Sequence, residues 1–256
     1  MVTVAFVGWR GLVGSVLINR MKEENDFKKA KFTFFSTSSP GKDAPSIKNV
    51  DSHNLEDAWN LEKLKIFDIV LSCQGSDYTK KVHPRLKESG WNGYWIDAAS
   101  YLRMKNESTL VLDPINHKQI ENALRSGKKD FIGSNCTVSL MMLALHGLLK
   151  EDMIEWIHTS SYQAISGSGS KAINELFEDL NLISSETNKD QDDILKKIDK
   201  AHAILKSKEN PRLGANIFPW IDSEEETGKT KEETKGERET NKILDNSSTI
   251  PVDGTC

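Results

Sequence analysis

Apolar residues come in short blocks at the start of the chain, and stretches of helical spacing separate them. Residues 2–7 (VTVAFV) form a continuous apolar run that stops at Gly8, the pattern of a parallel strand buried on both faces. Val16, Leu17, Arg20 and Met21 then recur at helical spacing. Residues 32–35 predict a second strand, which ends in the hydroxyl cluster Ser36-Thr37-Ser38-Ser39 ahead of Pro40-Gly41. Residues 41–60 are polar and read as loop. Residues 66–71 (IFDIVL) predict a third strand that stops at Ser72-Cys73-Gln74-Gly75. A helix follows over 78–89, taking in Pro84, and then a strand over 94–96 that leads into Asp97-Ala98-Ala99-Ser100. Residues 110–112 read as one more strand, and 115–124 as a helix closed by Gly127. Strands alternating with helices in this way predict a parallel, doubly wound α/β sheet.

The texture changes after Phe131-Ile132-Gly133. Asn135-Cys136-Thr137 opens a strongly apolar helix over 138–149, and 155–163 alternates like a strand. The turn Ser166-Gly167-Ser168-Gly169-Ser170 leads to a helix over about 172–182. Residues 184–210 are charged and read as an exposed helix. Residues 223–242 are very polar yet helix-prone, and 250–252 begins an extended segment. No internal repeat is evident.

Composition narrows the function. The chain has 256 residues, enough for one large domain or two modest ones. No apolar run approaches the ~18 residues needed to cross a bilayer, so neither a membrane span nor a secretory signal is expected. A formal charge of −4 argues against a nucleic-acid binder that works by neutralising phosphates. The three cysteines, Cys73, Cys136 and Cys256, have no metal-ligand spacing, and none of the six histidines forms a metal pair. Neither a disulfide framework nor a metal site is expected, and a reducing cytoplasm is the default location.

The candidate chemistry lies at strand ends. Gly8-x-x-Gly11-x-x-Gly14 joins the first strand to the first helix, where glycines let backbone approach a pyrophosphate held at a helix N-terminus. The spacing departs from the usual G-x-G-x-x-G, and a βα turn that binds nothing is the plain alternative. The window 34–39 holds no carboxylate for a ribose 2′-hydroxyl and offers hydroxyls instead, which favours NADP over NAD. Cys136 stands at a strand-to-helix junction, where N–H groups and the helix dipole stabilise a thiolate. The alternative is an inert packing cysteine, and Cys73 reads as one. Arg103, just past a strand end, could pair with a phosphate. On spacing alone, Glu232 and Lys235 read as solvated charges on a helix. The expected organisation is a Rossmann-type domain over 1–133, followed by a second, α+β domain over 134–256.

Several blocks carry a resemblance. Gly8-Trp9-Arg10-Gly11-Leu12-Val13-Gly14-Ser15-Val16, Phe34-Phe35-Ser36-Thr37-Ser38 and Cys73-Gln74-Gly75 resemble aspartate-semialdehyde dehydrogenase of the Gram-negative bacterial type. So do Gly90-Trp91-x-Gly93-Tyr94-Trp95-Ile96-Asp97-Ala98-Ala99-Ser100, Asn135-Cys136-Thr137-Val138-Ser139-Leu140 and Glu239-Thr240-Asn241-Lys242-Ile243-Leu244. The resemblance implies interconversion of L-aspartate 4-semialdehyde, phosphate and NADP⁺ with L-4-aspartyl phosphate and NADPH, on the way to lysine, threonine and methionine. It makes Cys136 the acyl-carrying nucleophile and Gln163 a substrate-orienting residue. NADP contacts would come from Arg10, Gly11, Leu12, Val13, Thr37, Ser38, Gln74, Ser166 and Gly167. Arg103 and Lys235 would hold phosphate and Glu232 the substrate amino group, in a homodimer, and residues 134–256 would be a catalytic and dimerisation domain that is incomplete in this chain.

The family's substrate-binding arginine and acid/base histidine would fall just past Cys256. A chain ending there is expected to be nearly inactive, since a general acid/base typically contributes ~10²–10⁴-fold. Two other readings stay open: a related N-acetyl-glutamyl-phosphate-type reductase, which the 94–100 and 239–244 blocks disfavour, and a non-catalytic NADP-binding remnant.

Overall fold

The computed structural model describes residues 1–48, 50, 53–189, 193–206, 212–245 and 248–256. The chain divides into two compact units, one of Met1–Ser160 with Glu232–Thr255, the other of Ser161–Lys231 with Cys256. Residues 134–160 and 232–255 therefore pack with the N-terminal sheet, although chain order alone places them after the expected boundary at 133.

The first unit holds a sheet of seven parallel strands. In chain order its elements are β1 (Thr3–Val7), α1 (Leu12–Glu23), β2 (Lys31–Ser36), β3 (Glu56–Asp57), α2 (Leu61–Leu64), β4 (Ile69–Ser72), α3 (Ser76–Glu88), β5 (Tyr94–Asp97), β6 (Ser108–Val111), α4 (Asp113–Arg125), β7 (Asp130–Gly133), α5 (Cys136–Lys150) and β8 (Ile157–Ser160). The strand order β3-β2-β1-β4-β5-β7-β6 runs outward from β1 in both directions. That reversal creates a crevice at the carboxyl ends of β1 and β4, where ligands bind in open α/β sheets. One apolar cluster, with Val7, Val70, Trp95 and Ile132, continues through Val138 and Met142 of α5, and a second surrounds Phe6 and Phe34. The sheet is thus covered on both faces, as the continuous apolar strands require.

Element boundaries shift where local polar bonds take over. The third predicted strand begins at Ile69 rather than 66 because the Asp68 carboxylate accepts the Thr3 backbone N–H at 2.8 Å and its hydroxyl at 2.9 Å. This clamp sets the register of β4 beside β1, and Ile66 ahead of it is exposed. The strand expected over 155–163 shortens to β8.

The second unit contains α6 (Ser170–Thr187) and α7 (Ile194–Lys206). The buried Asp179 of α6 accepts Arg212 Nη1 at 2.5 Å and the backbone N–H groups of Leu213 and Gly214. The charged segment expected over 184–210 is helical at 184–187, the end of α6, and at 194–206, and its positions 190–192 and 207–210 lie outside the described residues. The polar run over 223–242 becomes helix only from Lys231, in α8 (Lys231–Leu244). After it, β9 (Val252–Thr255) pairs with β8 in parallel, back in the first unit.

Candidate active site

The crevice side of β1 is built by close backbone packing. Gly8 has φ +81°, and a Cβ there would lie 2.5 Å from the Cys73 carbonyl carbon. At Gly14 a Cβ would lie 2.3 Å from the Gly8 carbonyl oxygen. Gly11 is different: it meets nothing closer than 3.5 Å. The first glycine therefore seats the loop on the Cys73-Gln74 turn, the third lets α1 pack against the Gly8-Trp9 backbone, and the middle one leaves the start of α1 open. Arg10 Nη2 donates to Ser38 Oγ at 3.0 Å and Ser36 Oγ at 3.3 Å. Ser36 Oγ also accepts the N–H groups of Ser38 and Ser39, and the Trp59 indole N–H donates to the Thr37 carbonyl. One carboxylate that the 34–39 window does not contain comes near in space, because Asp57 of β3 pairs with Ser36. Its Oδ1 accepts the Trp59 backbone N–H at 3.0 Å. A guanidinium among hydroxyls is a donor set suited to an anion.

Cys136 opens α5 and is exposed. Asn135 caps the helix, its side-chain oxygen accepting the N–H groups of Thr137 at 2.9 Å and Val138 at 3.1 Å. The Asn135 amide Nδ2 faces Glu232, donating to Oε1 at 3.1 Å, and Thr137 Oγ1 reaches the same oxygen at 3.3 Å. Lys235 Nζ lies 2.7 Å from Glu232 Oε2. Glu232 is only 9% exposed, which corrects the expectation of a solvated charge. A buried carboxylate persists only where donors meet it, and Asn135, Thr137 and Lys235 are those donors.

Arg103 is also buried. Its Nε donates to the Gly133 carbonyl at 2.9 Å, Nη1 to Glu239 Oε1 at 3.1 Å, and Nη2 to the Ala98 carbonyl at 3.1 Å. Glu239 Oε2 accepts the Asn135 backbone N–H at 2.7 Å. One turn on, Lys242 Nζ donates to the carbonyls of Arg103 and Lys105, both at 2.6 Å, and to Ser108 Oγ at 3.2 Å. Burial, then the nearby charge of Lys128, pushes the Lys242 ammonium down to about 8.

Glu232, Lys235, Glu239 and Lys242 stand at i, i+3, i+7 and i+10, one stripe of α8. Glu239 and Lys242 lay inside a resembling block, yet no role attached to them in the sequence. The stripe was there to be found as helical periodicity of charge, hidden because almost every residue of the segment is polar.

Other candidates lie elsewhere. Gln163, Ser166 and Gly167 belong to the second unit, where the Ser161 hydroxyl donates to Gln163 Oε1 at 3.1 Å and a short 3₁₀ turn, Ile165–Ser168, carries the other two. Leu12 and Val13 open α1 with exposed side chains. Cys73 ends β4 half-buried. Burial, then the charge of Asp97, pushes its thiol up to about 12. No cluster of metal-ligating side chains occurs among the described residues, and no described helix is long and apolar enough to cross a membrane.

Comparison with known proteins bears on this arrangement. Residues 3–123 match the semialdehyde dehydrogenase NAD-binding domain, and residues 145–256 the dimerisation domain of the same enzymes. Aspartate semialdehyde dehydrogenase from Francisella tularensis is 51% identical over 100% of this chain and 72% of its own, with a TM-score of 0.94. The chain belongs to the aspartate-semialdehyde dehydrogenase family. Its members are NAD(P)-dependent reductases, and residues 3–123, which hold six of the seven strands of the sheet, match their nucleotide-binding domain. Aspartate semialdehyde dehydrogenase II from Vibrio cholerae, solved as a complex with ASA, is 25% identical, with a TM-score of 0.76 over 100% of this chain and 69% of its own. The Candida albicans enzyme solved with NADP shares the fold, at 18% identity and a TM-score of 0.59 over 67% of its length.

Proposed function

We propose that the protein catalyses the NADP-dependent reductive dephosphorylation of L-4-aspartyl phosphate to L-aspartate 4-semialdehyde, and the reverse phosphorylating oxidation. It would do so as a cytoplasmic homodimer supplying lysine, threonine and methionine synthesis. The observation that carries the reading is the exposed Cys136 at a capped helix start, underlain by Arg103, Glu232 and Lys235 on buried polar bonds.

In the biosynthetic direction Cys136 Sγ attacks the acyl carbon of aspartyl phosphate. The carbon–oxygen bond to phosphate breaks, phosphate leaves with the electron pair, and a thioester remains on the sulfur. Arg103 and Lys235 meet the charge of the phosphate, Glu232 meets the substrate ammonium, and Gln163 orients the acyl group. NADPH, when bound, supplies hydride to the acyl carbon. Collapse of the resulting hemithioacetal expels the Cys136 thiolate and releases the aldehyde. Gly11, Leu12, Val13, Gln74, Ser166 and Gly167 would hold the dinucleotide. Arg10, Thr37 and Ser38 would take its 2′-phosphate, which the hydroxyl-lined guanidinium fits better than a bare ribose.

The test uses enzyme expressed from its own gene. Sustained NADP reduction is expected to require both semialdehyde and phosphate, with no more than one NADP reduced per site when phosphate is withheld. With phosphate withheld, a hydroxylamine-labile acyl group is expected on the Cys136 peptide by mass spectrometry. Arg10→Ala is expected to raise KM for NADP by about tenfold, through loss of a charge-assisted contact, with little change for NAD. Acylation at Cys73, or none at all, would overturn the mechanism.

A further inference from the structure

Glu239 is almost fully buried, at 2% exposure, and its two oxygens face different parts of the site. Oε1 takes Arg103 Nη1, while Oε2 takes the Asn135 backbone N–H at 2.7 Å. That N–H is an unusual partner. Asn135 is the cap of α5, so its own N–H lies outside the helical ladder and must find an acceptor elsewhere. A single rigid carboxylate therefore spans the guanidinium on one side and the residue next to Cys136 on the other.

The Arg103 side is held three more times. Its Nε and Nη2 go to the carbonyls of Gly133 and Ala98, at the ends of β7 and β5, and its own carbonyl accepts Lys242 from the next turn of α8. Carbonyls can fix the plane of a guanidinium but cannot neutralise it. Of the groups hydrogen-bonded to that guanidinium, only Glu239 carries a negative charge. Glu239 sits on the same stripe of α8 as Glu232 and Lys235, so one helix face sets the positions of all these groups relative to the sulfur.

We propose that Glu239 is a positioning residue that locks the Arg103 guanidinium to the start of α5, fixing where a phosphate bound by Arg103 lies relative to Cys136 Sγ. The role of Arg103 toward phosphate rests on the function proposed above, whereas the tie from Glu239 to Asn135 does not. The test compares wild type with Glu239→Gln and Glu239→Asp, all expressed from the intact gene.

Glu239→Gln keeps the shape but presents one donor where two acceptors stood. KM for phosphate in the oxidative direction is expected to rise tenfold or more, with KM for NADP moving less than twofold. Deuterium exchange at the Asn135 amide is expected to speed up tenfold or more, with β1 and β4 unaffected. Glu239→Asp, which keeps the charge, is expected to recover part of both. Should Glu239→Gln fail to fold, Glu239→Asp carries the same two measurements with smaller shifts.

A folded variant with a protected Asn135 amide, or with phosphate KM unchanged, would overturn the proposal. So would a uniform loss of exchange protection across the sheet, which marks general destabilisation. If wild type itself shows no phosphate-dependent turnover, the proposed function falls. The exchange measurement still decides the tie between Glu239 and Asn135.

Discussion

Cys73 and Cys136 both stand just past the carboxyl end of a parallel strand, beside the start of a helix, yet the fold uses the two junctions in opposite ways. At Cys73 the backbone of the first glycine loop closes directly on the turn, with Gly8 so near that a Cβ has no space. The thiol is half-buried beside Asp97 and pushed up to about 12. At Cys136 the turn is held from beneath, by side chains: Asn135 caps the helix, Glu232 and Glu239 hold Asn135, and the sulfur stays exposed. A strand end in an open sheet offers a place for chemistry. Whether the place is used depends on what supports the turn, backbone on one side of the sulfur or side chains below it.

Removing each sulfur breaks this comparison most directly. Cys136→Ala is expected to lower kcat/KM on the order of 10³-fold or more, because the covalent step has no other nucleophile. Cys73→Ala is expected to keep turnover within about threefold and to cost about 1 kcal/mol of stability as a small packing defect. Steady-state rates and urea unfolding on the pair check both values. Equal losses of activity would mean that the two junctions are not functionally distinct.

The glycine loop sharpens the comparison on the structural side. Gly8→Ala must accept φ +81° and a Cβ inside the Cys73-Gln74 backbone, so a loss of about 2–4 kcal/mol is expected. Gly11→Ala meets only ordinary contacts at a helix cap, and a loss within about 1 kcal/mol is expected. Urea midpoints for the two variants read the difference, and equal midpoints would show that the loop is not seated on Cys73.

What was legible in the sequence follows the same division. The central strands and the glycine loop could be read because burial on both faces gives continuous apolar runs, and close backbone approach selects glycine; the two-residue β3, Glu56–Asp57, lies in a stretch read as loop. Cys136 could be read because Asn135 and Thr137 announce a helix start. The serines could be read because they end the second strand, whereas Arg10 entered only through the resemblance. The network below Cys136 was not legible, because its members come from three distant segments: 98–108, 133–137 and 232–242. Glu232 looked solvated for the same reason, since nothing near it in the sequence announces Asn135. The resembling blocks marked where chemistry lay without saying that Glu239 and Lys242 bond to Arg103 and its turn.

The smallest expected effect concerns the outer end of that network. Lys242 sits partly buried on three acceptors with its ammonium pushed down to about 8, burial being the larger cause and Lys128 the next, against the opposing pull of Glu107 and Glu239. An unfolded lysine titrates near 10.4. Between these values the unfolded chain binds more protons than the folded one, so the contribution of Lys242 to stability rises with pH across roughly 8 to 10. Below that window the buried charge opposes folding, and above it the neutral amine does not. Lys242→Met removes the titration together with the three hydrogen bonds. Its deficit in urea midpoint relative to wild type is therefore expected to be smallest near pH 7 and to widen steadily toward pH 9.5. Because Tyr and Cys titrations are shared by both proteins, the difference between them isolates Lys242. A gap that stays constant or narrows over this range would mean that the ammonium is not desolvated, and that α8 grips the Arg103 turn from solvent rather than from within.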